Sequence, residues 1–388
     1  MSLASRVQER INTGQRIPPP QFLDRSSLKQ LKDSSSPPLF RTFSLQYILK
    51  PAARFVDRIV PSSIGSTALF LLINISTLII SLVCSLIIFH ARAHPTYLLA
   101  ITSICSFLSA ISFPLSISHA NKIRRTTPVL YLAQSLFQAP LVCLFALFFS
   151  IASVDNYSNI SLIHVMVAGL YQQSITIRRL VTLTESREVP RIVIGNSADV
   201  LVLFSVISLF SIFTEHLLLH LTVLVGFFFG ILVHVYKSII IDKQHSVVYL
   251  AAVKRCISKL IPLLSLYLFT SLWAFFDQNS ETSAVLYGVV ISTFTSTIAS
   301  KLELHRQSGS SFYIAQPIIL LAVLGFSSAF CYQKYGFYFI LSTHSLMILT
   351  LIITIGVLVQ YISSVLKEFA KSLHQSVLEL DVVYAQNK

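Results

Sequence analysis

Apolar segments long enough to cross a lipid bilayer recur along almost the whole chain. A hydrocarbon core about 30 Å thick requires about 20 apolar residues in a helix. Only 12% of the residues are charged, about half the share found in soluble proteins. We therefore predict an all-α polytopic membrane protein with about ten transmembrane helices. The segments are residues 68–90, 97–118, 128–153, 160–177, 192–213, 216–236, 258–276, 283–300, 311–331 and 336–361.

The positive charges give the predicted orientation. With ten crossings, 27 of the 29 Lys and Arg residues fall on one side of the membrane, and the other side holds only Arg92 and Lys334. Positively charged loops remain on the cytoplasmic or matrix-like face. We therefore predict that both termini lie on that face. The basic excess is explained by this topology, so we predict no nucleic-acid partner.

The segments that flank the predicted spans have their own patterns. Residues 1–44 are polar and rich in Pro and Ser, which predicts an extended arm. Residues 45–62 carry apolar side chains at helical spacing opposite Lys50, Arg54 and Arg58, which is typical of an amphipathic helix on the membrane surface. Residues 63–361 form the predicted transmembrane domain, and residues 362–388 a C-terminal amphipathic helix and tail.

Four short stretches, in this order and spacing, resemble one family. They are LQYILKP at 45–51, KIRRT at 122–126, GNSAD at 195–199 and KLELH at 301–305. Together with a basic amphipathic helix that leads into ten spans, they are similar to the choline/ethanolamine phosphotransferases of the CDP-alcohol phosphotransferase superfamily. The resemblance extends from about residue 42 to 380. It implies a ten-helix fold and, when no other partner intervenes, a homodimer.

The resemblance also implies a metal site, which the sequence does not preserve. The family signature is D-x2-D-G-x2-A-R-x8-G-x3-D-x3-D, and its four carboxylates hold the divalent cations that neutralise the CDP pyrophosphate. Aligned on Arg124 and on Leu136, with one residue inserted between them, these four positions fall on Ser116, His119, Gln138 and Val142; without the insertion the last two fall on Phe137 and Leu141. Residues 58–154 contain no Asp or Glu at all, so shifting the alignment cannot restore the carboxylates. We therefore predict a pseudoenzyme with no catalytic residue and no metal; the alternative is Mg or Mn bound by ligands from elsewhere.

Two sets of charged residues remain as candidate binding groups. Lys122, Arg124 and Arg125 would face a phosphate or lipid headgroup by the resemblance, or they are ordinary positive residues at the end of a span. Asp199 is the one carboxylate well inside a predicted span, where an ionisable group marks a candidate functional site. Asp199 either makes a structural hydrogen bond, for example to Asn196 or Gln138, or lines a residual polar cavity.

We therefore expect a catalytically inactive accessory subunit that binds membrane lipids and other membrane proteins, or a homodimer. The alternative is a divergent active phosphotransferase that uses a CDP-alcohol and diacylglycerol. A transporter is a third class, but the sequence shows no internal repeat of the kind that many transporters have. The expected location is the mitochondrial inner membrane or the endoplasmic reticulum and Golgi, and the sequence does not separate these.

Overall fold

All regular structure in the described part of the chain is helical. The computed structural model describes residues 44–91, 96–123, 128–153, 159–183, 197–210, 216–245, 249–277, 282–308 and 316–373, together with 23, 27–29, 31, 42 and 312. A π-helical turn, Leu45–Leu49, leads directly into the first α-helix. The α-helices are α1 (Lys50–Asp57), α2 (Ser66–Ala91), α3 (Thr96–Lys122), α4 (Pro128–Ser153), α5 (Asn159–Leu183), α6 (Ser197–Phe210), α7 (His216–His245), α8 (Tyr249–Phe276), α9 (Thr282–Ser308), α10 (Ile318–Tyr335) and α11 (Thr343–Ser372).

The predicted class of an α-helical membrane protein is confirmed. Each of the ten predicted apolar segments overlaps one helix from α2 to α11. Seven of these helices are long and apolar enough to cross a membrane: α2, α3, α4, α7, α8, α10 and α11. The chain is therefore an integral membrane protein. The count of ten crossings and the orientation of the termini stay predictions, because α6 has only 14 residues and α5 and α9 are more polar.

The polar helix α9 lies at the centre of the bundle, where it packs against α4, α5, α8 and α11. One side of it carries Ser292, Thr295, Ser296 and Ser300, and all four are fully buried. The Ser296 hydroxyl donates to the Ser292 carbonyl of its own helix at 2.6 Å, and the Ser300 hydroxyl to the Leu136 carbonyl of α4 at 3.0 Å. Small hydroxyl residues let helices approach closely and find hydrogen-bond partners without water. This explains how a helix of modest hydropathy occupies the core.

The described residues of the N-terminal arm pack onto the chain itself. Leu23 and Leu31 are buried in a cluster with Tyr361 and Phe369 of α11, and the Leu23 amide donates to a carboxylate oxygen of Glu368 at 3.0 Å. Most of residues 1–44, including all of 1–22, lies outside the described residues. The predicted arm is therefore held, at these few positions, by the C-terminal helix.

Helix α11 runs through the predicted boundary between residues 361 and 362 without a break. The apolar residues of the predicted C-terminal amphipathic helix include Ile362, Val365, Leu366 and Phe369, and all four are buried against the bundle. Their partners are the described arm residues and the beginning of α4. The end of α11 is therefore an integral part of the helical core, and residues 374–388 lie outside the described part.

The contact between α8 and α10 requires a glycine. A Cβ at Gly325 would lie 2.2 Å from the ring of Trp273, which is fully buried and packs edge-on against Tyr287 at 5.5 Å between ring centroids. The indole therefore has no room to move aside. Gly356 of α11 is the natural comparison, because a Cβ there meets nothing within 4 Å.

We predict that Gly325→Ala destabilises the protein by about 1–3 kcal/mol, the usual cost of overpacking a core. Gly356→Ala is the matched control, and it should be neutral or slightly stabilising because Ala favours helix over Gly. Unfolding of both variants in mixed micelles, followed by SDS titration, measures the difference. Equal stability of the two variants would contradict the tight packing at Gly325.

Candidate functional site

The amphipathic segment predicted at residues 45–62 is divided between two environments. Leu45, Leu49 and Ala53 are buried against the transmembrane helices, and α1 packs along α3. Phe55 and Ile59 of the same predicted apolar stripe are 66% and 76% exposed. One side of the segment is thus bound to the protein, and the exposed apolar side chains face outward as expected for contact with the membrane interface.

A buried pair of side chains joins α1 to α3. His119, in the last turn of α3, is completely buried, and its Nδ1 lies 2.9 Å from Oδ1 of Asp57 at the end of α1. The other ring nitrogen, Nε2, lies 2.9 Å from the carbonyl oxygen of Ile64. The second carboxylate oxygen of Asp57 accepts from the Ser118 hydroxyl at 3.1 Å. We name Asp57 and His119 the α1–α3 pair.

The two partners of His119 engage both nitrogens of its ring. Nδ1 faces a carboxylate oxygen and Nε2 faces a backbone carbonyl oxygen, so neither ring nitrogen is left open to a ligand from outside the protein. His119 and Asp57 therefore form a buried hydrogen-bonded pair that joins the end of α1 to the last turn of α3.

Lys122 reinforces the same junction. Its ammonium donates to the carbonyl oxygens of Asp57 at 2.9 Å and Val60 at 3.0 Å. Carbonyls after the last helical turn lack partners within the helix, and a Lys side chain can supply them. In this structure the Lys122 ammonium, predicted to contact a phosphate or headgroup, is engaged by the chain's own backbone.

The remaining predicted motif positions do not assemble a metal site. The Ser116 hydroxyl donates to the Ser112 carbonyl of its own helix at 2.8 Å, and Val142 is buried in the apolar core. Gln138 lies in α4, but its side chain is outside the described residues, and so are Arg124 and Arg125. Within the described ranges, no group of three or more His, Cys, Asp or Glu side chains could hold a metal. A serine, a histidine with both ring nitrogens hydrogen-bonded and a valine do not fit Mg²⁺ or Mn²⁺, which require several oxygen anions.

Asp199 is hydrogen-bonded to the segment that precedes α1, and it also lines a largely apolar cavity. It lies in the first turn of α6, and its Oδ1 accepts hydrogen bonds from the Thr42 hydroxyl at 2.8 Å and from the Ser44 hydroxyl. These partners immediately precede the amphipathic segment, so Asp199 fixes the entry of that segment. The same residue lines a cavity between α5, α6 and α7.

This cavity, named here the α6–α7 groove, has a volume of about 620 Å³. Apolar side chains and two glycines form most of its walls. Its polar wall residues are Tyr171, Thr222, His234 and Asp199, and the Nδ1 of His234 accepts from the buried guanidinium of Arg178 at 3.2 Å. The apolar and glycine wall residues are Val200, Leu203, Ile207, Val223, Gly226, Phe227, Phe229, Gly230 and Val233.

No protein-family model matches the chain, and no curated protein matches it significantly. The resemblance to the CDP-alcohol phosphotransferases therefore stays a prediction. The structure shows the contacts that the candidate residues make.

We predict that His119→Gln destabilises the protein by about 3 kcal/mol, because it leaves the buried Asp57 carboxylate without its imidazole partner. Ser118→Ala is the matched control. It removes one hydrogen bond to the same carboxylate and should cost about 1 kcal/mol. SDS titration in mixed micelles gives both values.

The double variant Asp57→Leu and His119→Met tests whether the two residues act as a pair. Replacing both buried side chains with apolar ones removes the unpartnered carboxylate, so the double variant should be more stable than His119→Gln. If His119→Gln were no more destabilising than Ser118→Ala, the α1–α3 pair would not be holding α1 on α3.

Proposed function

We propose that this chain is a catalytically inactive, CDP-alcohol phosphotransferase-like membrane protein that serves as a structural, lipid-binding subunit of a membrane complex. Two lines of reasoning support the proposal. The order of the four sequence stretches supports the family, and the contacts made at its motif positions support the loss of activity. The partners are proposed to be membrane lipids and other membrane-protein subunits or a second copy of the chain.

The observation that most directly supports the loss of activity is the pair of contacts made by the ring of His119. At a position where the family signature has a metal-binding Asp, this chain has a histidine whose two ring nitrogens both lie 2.9 Å from oxygen atoms of the protein. A ring nitrogen that is hydrogen-bonded inside the protein is not available as a metal ligand. The carboxylate that lies beside this ring is Asp57, and it is hydrogen-bonded to Nδ1. The residues present therefore do not fit the divalent cations that the family chemistry requires.

The described contacts suit a scaffold. The α1–α3 pair, the Lys122 bonds and the Asp199 bonds all fix the amphipathic segment to the transmembrane helices. The outward side chains Phe55 and Ile59, with exposed Arg54 and Arg58 beside them, suit an interface of lipid tails and anionic headgroups. We propose the mitochondrial inner membrane or the endoplasmic reticulum and Golgi as its location, with both termini on the basic side.

We predict that the purified protein in nanodiscs will not transfer phosphocholine or phosphoethanolamine from a CDP-alcohol to diacylglycerol, with Mg²⁺ or with Mn²⁺. An active choline/ethanolamine phosphotransferase in identical nanodiscs is the control for substrate access and cation supply. Formation of radiolabelled phospholipid is the readout. Turnover above the empty-nanodisc background would overturn the proposal and favour a divergent enzyme.

A further inference from the structure

The α6–α7 groove opens onto the face of the bundle that would contact lipid. Leu203 and Phe229, which line it, are 41% and 67% exposed. Next to them, α6 and α7 expose further large apolar side chains, namely Val206, Val225, Phe228 and Leu232. In an integral membrane protein such a surface faces hydrocarbon, so the molecules with direct access to the groove are lipids.

The ionisable side chains of the groove come from three helices. Asp199 lies at the start of α6, His234 near the end of α7 and Tyr171 on α5, and the rings of Tyr171 and His234 lie 5.4 Å apart between centroids. We call the part of the groove that these three residues line its polar end. Exposed Lys237 follows on α7, one helical turn beyond His234.

This polarity matches a lipid in a bilayer. The polar end carries a carboxylate, an imidazole and, behind the imidazole, the guanidinium of Arg178, whereas the remaining wall is largely apolar. Lys237 lies on the predicted basic side of the membrane, which places this end at the depth of the headgroups and esters. A volume of about 620 Å³ lies within the range of small-molecule sites, about 300–1,000 Å³.

We propose that the α6–α7 groove binds one acyl chain of a membrane glycerolipid, with the ester region of that lipid on the side of His234. The site rests on the proposed function and gives the lipid-binding part of that function a place in the structure. It requires no catalysis and no metal. The lipid is recognised by its hydrocarbon chain.

A partner helix is a less suitable occupant. Gly226 and Gly230 have the spacing of a close helix contact, which requires a bare ridge along both glycines. A Cβ at Gly226 would meet nothing within 4 Å, but a Cβ at Gly230 would lie 2.5 Å from the ring of Tyr171. Tyr171 of α5 thus already covers the second glycine. Only the part of the groove beside Gly226 stays open, and this narrow space suits an acyl chain better than a helix.

Gly226 also supplies the test. Gly226→Leu places a side chain in the open part of the groove without a backbone clash, and Gly356→Leu makes the same change at an open, exposed position on α11. Wild type and both variants are placed in nanodiscs that contain phosphatidylcholine with a diazirine in one acyl chain. After photolysis, the adducts are located and quantified by peptide mass spectrometry.

In the wild type we expect adducts concentrated on Leu203, Gly226 and their neighbours in the groove. Gly226→Leu should lower their yield about tenfold, as expected when a few methylene contacts are lost, and Gly356→Leu should leave it unchanged. Leu203→Trp, which narrows the groove from the opposite wall, should also lower the yield and serves if Gly226→Leu does not fold.

Several results would overturn the proposal. The first two are an unchanged adduct yield in both groove variants and adducts spread evenly over all exposed helices. The other two are labelling by a diazirine fatty acid but not by the phospholipid, and crosslinks to another protein through Gly226. The turnover assay is independent of this experiment. If no adducts form in the groove and no turnover is seen, the lipid site is wrong and the pseudoenzyme proposal stands. If turnover is seen and groove adducts form, the pseudoenzyme proposal is wrong and the lipid site stands.

Discussion

Within an apolar bundle, a buried polar group is stabilised by a partner inside the chain, because neither lipid nor a packed core supplies one. This constraint shapes the structure at several depths. Serine and threonine hydroxyls of α9 bond to backbone carbonyls at the centre of the bundle. At the end of α3, His119 and Asp57 are hydrogen-bonded to each other. At the start of α6, the Asp199 carboxylate is bound by hydroxyls from the segment before α1.

A similar solution appears where a helix is interrupted. Pro262 lies inside α8, and a proline in a helix interior removes one backbone hydrogen bond and opens the preceding turn. The fully buried side chain of Gln173 donates from Nε2 to the carbonyl of Lys259 in that turn at 2.6 Å. Gln173 therefore stabilises the contact between α5 and α8. A polar side chain is accommodated at this position because α5 is packed between other helices, which supply its hydrogen-bond partner.

The sequence predicted the helical segments well, because the length of an apolar run is set by the thickness of a bilayer. It predicted less well which surfaces these helices bury. The stripe at Ile362 to Phe369 looks like a membrane-surface helix in sequence, but tertiary packing buries it. Periodicity identifies an apolar face without identifying what covers it. The same limit applies to α1, where Leu49 is buried and Phe55 is exposed although both belong to one predicted stripe.

For the candidate site, the sequence identified His119 and the missing carboxylates, but not the partner of the histidine. Asp57 lies just outside the carboxylate-free stretch 58–154, and 62 residues separate the two side chains, so no local spacing indicates the contact. Tyr171 and Gly226, on the walls of the groove, carry no sequence signal either. Both are ordinary residues of apolar helices, and their role follows only from how α5, α6 and α7 are arranged.

The claim at the centre of this account is that the α1–α3 pair takes the place of a divalent-metal site. Electron paramagnetic resonance of Mn²⁺ tests it directly, with the protein in nanodiscs of zwitterionic lipid. The account predicts a spectrum of free Mn²⁺ equal in intensity to that of empty nanodiscs, because both ring nitrogens of His119 are hydrogen-bonded within the protein and a single carboxylate does not hold the ion. Stoichiometric loss of the free signal that is abolished by Asp57→Asn would contradict it.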